Sequence, residues 1–358
     1  MFGTYRTFLA LMVVVHHLIS IPVIGHYAVH GFFILSGYLM TYVMTNSYGY
    51  SINGIRSFAA NRFLRLYPSY WVVLSLTILA ILIFGEENST IYREFIYLPD
   101  SIFSLIQNIS LLYFDFFPGK VYPRLSPPTW ALTIELVFYL LIALGASRYK
   151  DMTLLWFISS LLYMVLTHVF EMGYSYRYNF IIAGTLPFSL GAMIYHYYKD
   201  IKSFIPKTSS SNVIIILMFL FILNSGVPVV SGKLSFPYVV NSISFYVNYM
   251  INAIIIFALI DGKISFISSE IDKKIGDFSY PLYLMHWQAG FVSSMIIWSS
   301  PVRGFNLQGI LSLVLALMLC FLFSWGVIRF VDTPIENLRR KIKKANKTKN
   351  SSQLPKPA

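Results

Sequence analysis

The sequence has few charged residues and a single cysteine. Asp, Glu, Lys and Arg make up 12% of its 358 residues, whereas soluble domains carry about 25%. Cys320 has no second cysteine to pair with, which excludes an intramolecular disulfide and most cysteine-based metal sites. No His, Asp or Glu group has metal-binding spacing, and neither a glycine-rich phosphate loop nor a Gly-x-Ser-x-Gly motif occurs. We therefore expect no bound metal.

Apolar residues dominate instead. They make up 56% of the chain, 17% of it is aromatic, and the mean hydropathy is +0.64. This composition predicts an all-α, polytopic integral membrane protein. About ten runs have the length of about 20 residues that crosses a bilayer. The predicted spans are residues 5–24, 27–45, 66–85, 129–147, 152–170, 179–198, 212–230, 240–261, 279–298 and 309–331. The apolar stretch 101–117 contains Gln107, Asn108 and Asp115 and predicts an interfacial or re-entrant segment.

The formal net charge of +12 fits a membrane topology better than nucleic-acid binding. With the N-terminus inside and the spans alternating, 21 of the 27 Lys and Arg residues fall inside. This bias predicts that both termini are cytoplasmic. The six basic residues on the outside are Arg93, Lys120, Arg124, Arg177, Lys233 and Arg303. Residues 336–358 predict a basic, disordered tail after a membrane domain of residues 1–335. Without a basic leader or a small-residue cleavage site, we expect no cleavable signal peptide.

The first predicted span carries two ionisable residues on one face. Arg6 and His17 are eleven positions apart. On an α-helix this is three turns plus about 20°, with about 16 Å between them along the axis. His16 would point about 80° away from Arg6. Because ionisable residues are costly in lipid, this shared face is a candidate functional site.

Two further polar groups lie near the first half of the chain. Arg62 and Arg65 share a helical face at the start of the third span. They are either ordinary cytoplasmic anchors or, together with Arg6, phosphate ligands, since the guanidinium fork binds pairs of oxygens. The segment from Gly31 to Gly37, which includes Ser36, allows close helix packing or close approach to a ligand or to the first span.

Two more candidates lie in later spans. Glu135 is the acid of the fourth span, so it either pairs with an arginine or faces a polar cavity. His286, in the ninth span, is either structural or part of that cavity. His26, His30, His168 and His196 lie near predicted span ends and carry less weight.

These motifs in order resemble the membrane-bound acyltransferase-3 family of O- and N-acyltransferases, over nearly the whole chain. The matching segments are Arg6 to His17, Gly31 to Gly37, Arg62 to Pro68, Trp130 to Glu135, Ser279 to His286 and Asp332 to Pro334. The residues before Arg6 differ from the family pattern, and Asp332 stands where glutamate is commoner. The resemblance implies a cytoplasmic acyl-CoA donor, generally acetyl-CoA. It also implies a sugar hydroxyl of the envelope as acceptor, in lipopolysaccharide O-antigen, exopolysaccharide or a lipid-linked precursor, and location in the bacterial cytoplasmic (inner) membrane.

The resulting hypothesis makes His17 the catalytic centre, either as general base or as carrier of the acyl group. Arg6, Arg62 and Arg65, with Ser36, would bind the donor. Glu135 would orient a cationic or imidazole partner or position the acceptor, and His286 would form a second polar wall. A proton-coupled transporter or a flippase for lipid-linked sugars is the alternative. The sequence shows no internal repeat to support it. A regulator that senses acyl groups without turnover is a third possibility.

Overall fold

The protein is a bundle of helices. The structure is a computed structural model that describes residues 2–204, 210–232 and 237–352, and these residues contain no β-strand. The α-helices are α1 (Gly3–Ile19), α2 (Ile24–Val43), α3 (Ile52–Phe84), α4 (Glu86–Tyr92), α5 (Ile102–Ser110), α6 (Trp130–Ala143), α7 (Lys150–Val169), α8 (Ser175–Tyr178), α9 (Thr185–Phe204), α10 (Ser211–Ser231), α11 (Pro237–Asp261), α12 (Ser269–Trp298), α13 (Leu307–Val327) and α14 (Thr333–Ser352). The predicted all-α class is thus confirmed for the described residues.

Each predicted span overlaps one of the longer helices. Six helical segments are long and apolar enough to cross a membrane: Ile24–Tyr48, Ile52–Phe84, Lys150–Val169, Ser211–Ser231, Pro237–Asp261 and Leu307–Ile342. Helix α6 has 14 residues and is about 21 Å long, less than the ~30 Å hydrocarbon core. The six apolar segments indicate a multi-pass membrane protein. The count of ten spans and the cytoplasmic location of the termini stay predictions.

Helix α3 begins much earlier than the predicted third span. Ser51 caps it by accepting a hydrogen bond from the Gly54 amide at 3.2 Å, and the helix then continues for 33 residues. Its length of about 50 Å exceeds the membrane core. Arg62 and Arg65 therefore lie inside a continuous helix, where the sequence places them at its start.

The N-terminus of α1 is fixed by an acid on another helix. Asp272 in α12 accepts hydrogen bonds from the Gly3 amide (3.0 Å), the Thr4 amide (2.9 Å) and the Thr4 hydroxyl (2.8 Å). A carboxylate at this end satisfies free amides and complements the helix dipole. The two helices also approach closely here, since a Cβ added to Gly276 would lie 2.5 Å from the Gly3 Cα. Asp272 thus sets the position of α1 against α12.

The glycines of α2 are used for helix packing. A Cβ on Gly37 would lie 2.2 Å from the Phe188 carbonyl oxygen of α9. In return, a Cβ on Gly191 of α9 would lie 2.0 Å from the Ile34 carbonyl oxygen of α2. At Gly31 an added Cβ would meet Asn252 at 2.6 Å and a Leu9 methyl of α1 at 3.1 Å. Close packing, including approach to the first span, therefore accounts for Gly31 and Gly37.

Helix α5 has its apolar side outward. Its exposed side chains are Ile102, Phe103, Leu105, Ile106 and Ile109, and its buried ones are Ser104, Gln107 and Asn108. Asn108 holds the loop that follows, donating to the Pro123 carbonyl (2.9 Å) and accepting from the Leu125 amide (2.9 Å). An outward apolar face suits contact with lipid, in agreement with an interfacial segment.

The described part of the tail is helical, and its predicted disorder stays a prediction. Helix α14 runs through Thr333–Ser352. Glu336 pairs with Arg339 at 2.6 Å, and Arg339 donates to the Asn61 side chain of α3 at 3.2 Å. These contacts hold the first turns of the tail against α3. Residues 353–358, with Lys356, lie outside the described residues, as do Lys207 and Lys233 of the charge count.

Candidate active site

Two cavities lie along α1, one towards each of its ends. The arginine cavity, about 130 Å³, includes Arg6, Ser36, Arg62, Arg65, Glu135 and Tyr139 in its lining. The histidine cavity, about 350 Å³, includes His16, His17, His26, Arg93, Trp287 and Arg303. The spacing between Arg6 and His17 thus places one residue in each cavity.

The arginine cavity collects the three arginines that the sequence analysis singles out. Arg6 comes from α1, whereas Arg62 and Arg65 come from α3. Arg62 donates to the Asn61 side chain at 2.9 Å, and the Arg65 guanidinium lies 5.7 Å from the Tyr280 ring centre. None of the three arginines forms an ion pair with a described carboxylate. The Nε atoms of Arg6 and Arg62 are buried without a hydrogen-bond partner in the described chain. Such donors suit an anion rich in oxygen, such as a phosphate.

Glu135 shares the arginine cavity but binds hydroxyl groups. Ser36 donates to Oε1 at 2.8 Å and Tyr139 donates to Oε2 at 3.0 Å. The salt bridge to an arginine that the sequence left open does not form among the described residues. Tyr139 is a partner that the sequence analysis missed, although its position four residues after Glu135 on one helix is a usable signal.

His17, in the lining of the histidine cavity, forms a directed pair with the imidazole of His286 beside it. His17 Nδ1 lies 2.8 Å from His286 Nε2, and His286 Nδ1 lies 2.8 Å from the Tyr283 carbonyl oxygen. A carbonyl only accepts, so His286 carries its proton on Nδ1 and, when neutral, accepts at Nε2. His17 must then donate from Nδ1. For two neutral rings this assignment leaves the lone pair on His17 Nε2, the atom needed for base or nucleophile chemistry.

His16 also lines the histidine cavity, although helical spacing predicts that it points about 80° away from Arg6. Helix α1 ends at Ile19, and Ser20 turns the chain with a left-handed φ of 58°. The Ile21 carbonyl then returns to 2.6 Å from His16 Nδ1. Since the cavity opens at the helix end, both imidazoles reach it.

Three basic residues that the sequence predicts on the outer side line the histidine cavity: Arg93, Arg124 and Arg303. Arg124 is 3% exposed and donates to the carbonyls of Pro127 (3.1 Å) and Gly119 (2.7 Å). Burial lowers the pKa of Arg124 to about 10, so it stays cationic at neutral pH. Arg93 and Arg303 both contact Trp287, which directly follows His286. The sequence analysis missed this group, although the Trp next to His286 is a signal that could have indicated it.

Tyr283 of α12 connects the linings of the two cavities. Tyr283 lines the arginine cavity, while its carbonyl holds His286 and its hydroxyl donates to the Pro128 carbonyl at 2.9 Å. Pro128 lines the histidine cavity. On α12 the step from Tyr283 to His286 is about 4.5 Å. Tyr283, through its carbonyl and its hydroxyl, therefore links the lining of the arginine cavity to His286 and to the lining of the histidine cavity.

Comparison with known proteins identifies the family. The acyltransferase-3 model, described as an acyltransferase domain, matches residues 4–329. This chain belongs to that family. A relative in Bacillus subtilis (strain 168), provisionally named as the peptidoglycan O-acetyltransferase YrhL, is 32% identical over 145 residues. The alignment covers 38% of this chain but 22% of the relative's length. No solved structure matches.

The chain thus belongs to an acyltransferase family whose model covers nearly all of it, and the transporter alternative is not favoured. The motif arginines lie in one cavity and the motif histidines in or beside the other.

Proposed function

We propose that this protein transfers an acetyl group from acetyl-CoA to a sugar hydroxyl of a cell-envelope glycan. The donor would bind at the arginine cavity and the acceptor at the histidine cavity. The observation that carries the proposal is the directed pair His17–His286, which leaves a lone pair on His17 Nε2, on the same helix as Arg6 of the arginine cavity.

At the donor side, Arg6, Arg62 and Arg65 would hold the phosphates of coenzyme A. Their guanidiniums, which form no ion pair with a described carboxylate, supply the charge, and Ser36 supplies a hydroxyl beside them. The cavity of about 130 Å³ is smaller than the usual ligand pocket of about 300–1,000 Å³. It would therefore take only part of the donor, with the remainder outside. The axial distance of about 16 Å between Arg6 and His17 suits an extended thioester arm.

At the acceptor side, His17 Nε2 would take the proton of the sugar hydroxyl as the hydroxyl oxygen attacks the thioester carbonyl carbon. The carbon–sulfur bond breaks, and the proton passes to the leaving thiolate. The alternative is that Nε2 itself attacks, so that the acetyl group moves first to the imidazole and then to the sugar. In both cases His286 accepts from His17 Nδ1 and stabilises the positive charge that develops on the ring.

Glu135 would act from the donor side. Its carboxylate is fixed by Ser36 and Tyr139, so it would position the donor arm or balance the arginine charge. No contact joins it to His17 or His286, which lie at the other cavity or beside it. We place the protein in the bacterial cytoplasmic (inner) membrane, with an acceptor such as lipopolysaccharide O-antigen, exopolysaccharide or a lipid-linked precursor. The relative's name adds peptidoglycan to these glycans.

The test is acetyl transfer by the purified protein in lipid nanodiscs. Incubation with radiolabelled acetyl-CoA and envelope glycan fractions should give labelled, base-labile glycan esters. Mass analysis of glycans from cells with and without the protein should show the same ester. Labelled acetyl-CoA that is neither consumed nor transferred, with no ester lost in the deleted strain, would contradict the proposal.

A further inference from the structure

The wall of the histidine cavity beyond the imidazoles is rich in hydrogen-bond donors and poor in acceptors. Arg93, Arg124 and Arg303 line it, with Glu94 as the acidic group, and Glu94 is exposed. Three buried nitrogens of this wall have no partner in the described chain: Arg93 Nε, Arg124 Nε and Trp287 Nε1. A buried donor without an acceptor is costly. The wall is therefore built to meet oxygen atoms of a ligand.

Of the three arginines, two are free to bind. Arg124 uses its terminal nitrogens on backbone carbonyls. Arg93 and Arg303 form no ion pair among the described residues. Their guanidinium carbons lie 5.2 Å and 5.3 Å from the Trp287 ring centre, and Arg93 also lies 4.3 Å from the Phe95 ring centre. Stacking on rings orients a guanidinium while leaving its edge available for an anion.

These two cations lie next to the reaction centre. The Trp287 ring that contacts both arginines has its centre 5.0 Å from that of His17. Burial and the neighbouring Arg303 lower the pKa of Arg93. A bound anion would relieve this repulsion between like charges.

We propose that Arg93 and Arg303 form a specificity site for an anionic group, a carboxylate or a phosphate, on the acceptor sugar. This inference rests on the proposed function, since it concerns the acceptor of the same reaction. The anion lies across the two guanidiniums, beside Trp287, and turns the neighbouring hydroxyl of the sugar towards His17 Nε2. The acceptor class is therefore an acidic or phosphorylated glycan unit, and a neutral sugar binds weakly.

The test compares acceptors that share one ring. N-acetylmuramic acid carries a carboxylate that N-acetylglucosamine lacks, and N-acetylglucosamine 1-phosphate carries a phosphate instead. We expect Arg93→Gln and Arg303→Gln to raise the KM for the favoured anionic sugar about 10- to 100-fold. The KM for N-acetylglucosamine and for acetyl-CoA should stay unchanged. Whichever anionic sugar shows the effect identifies the carboxylate or the phosphate as the ligand. Lys120→Gln is the matched control for Arg93→Gln, since it removes one positive charge from the same connection between α3 and α6 without belonging to the cavity lining.

A higher KM for acetyl-CoA in the two variants would assign the arginines to the donor and overturn the inference. Equal KM values for acidic and neutral sugars in the wild type would also overturn it. Equilibrium titration of the same three sugars separates this inference from the proposed function. If acidic sugar binds through both arginines but no sugar is acetylated, the anion site stands and the proposed function fails. If sugars are acetylated without preference for charge, the function stands and the anion site fails.

Discussion

Replacement of His286 tests how the histidine pair works. In His286→Leu, His17 Nδ1 loses the acceptor that lies at 2.8 Å, and the proton is free to move to Nε2. A hydrogen bond to a charged group contributes about 1.5–3 kcal/mol. If this energy is realised only as His17 becomes cationic in the transition state, kcat should fall about 10- to 150-fold. The KM for acetyl-CoA should not change, because the donor would bind at the arginine cavity.

The conservative variant separates positioning from packing. In His286→Gln the amide oxygen can accept from His17 and the amide nitrogen can donate to the Tyr283 carbonyl, so part of kcat should return. The measurement is steady-state acetyl transfer by both variants in nanodiscs, with thermal unfolding midpoints as a check on folding. A wild-type kcat in His286→Leu would refute the reasoning. So would equal losses of kcat in the two variants, since the lost hydrogen bond would then not be the cause.

The remaining predictions concern the donor cavity and the fold. Arg62→Gln should raise the KM for acetyl-CoA about tenfold, because it removes one phosphate contact. Arg56→Gln is the control in the same helix outside the cavity and should leave this KM unchanged. Equal effects of the two variants on KM would remove Arg62 from the donor site. Asp272→Ala should lower stability by about 1–2 kcal/mol, since it removes the cap of α1, and an unchanged unfolding midpoint would show that the cap is dispensable. Gly37→Val should destabilise the protein more strongly than Gly226→Val. An added Cβ at Gly37 meets the α9 backbone at 2.2 Å, whereas one at Gly226 meets open space. Similar thermal unfolding midpoints of the two variants would contradict the packing account.

The parts of the site that share a helix were predictable from the sequence. Helical spacing alone places Arg6 and His17 towards opposite ends of one face, and it pairs Arg62 with Arg65. Contacts between distant helices were not predictable in this way. The His17–His286 hydrogen bond and the Asp272 cap each join residues more than 260 positions apart, and periodicity contains no information on such pairs.

Helix ends and loops account for the other differences. The α1 periodicity excluded His16, but the left-handed Ser20 and the returning Ile21 carbonyl bring that ring into the cavity. Arg93 and Arg303 were counted as outer basic residues because nothing in their local sequence reveals that both contact Trp287. The start of α3 was missed because Ile52 to Arg65 is polar enough to resemble a loop, although it continues one helix.

The most direct test of the account is the comparison of His17→Ala with His16→Ala. Both imidazoles line the histidine cavity, but only His17 is bonded to His286. In a variant that still inserts into the membrane and binds acetyl-CoA, His17→Ala should lower kcat about 10²- to 10⁴-fold. This is the usual contribution of a general base. His16→Ala should keep most of the wild-type kcat. Wild-type turnover in His17→Ala, or equal losses in the two variants, would contradict the assignment of His17 as the catalytic centre.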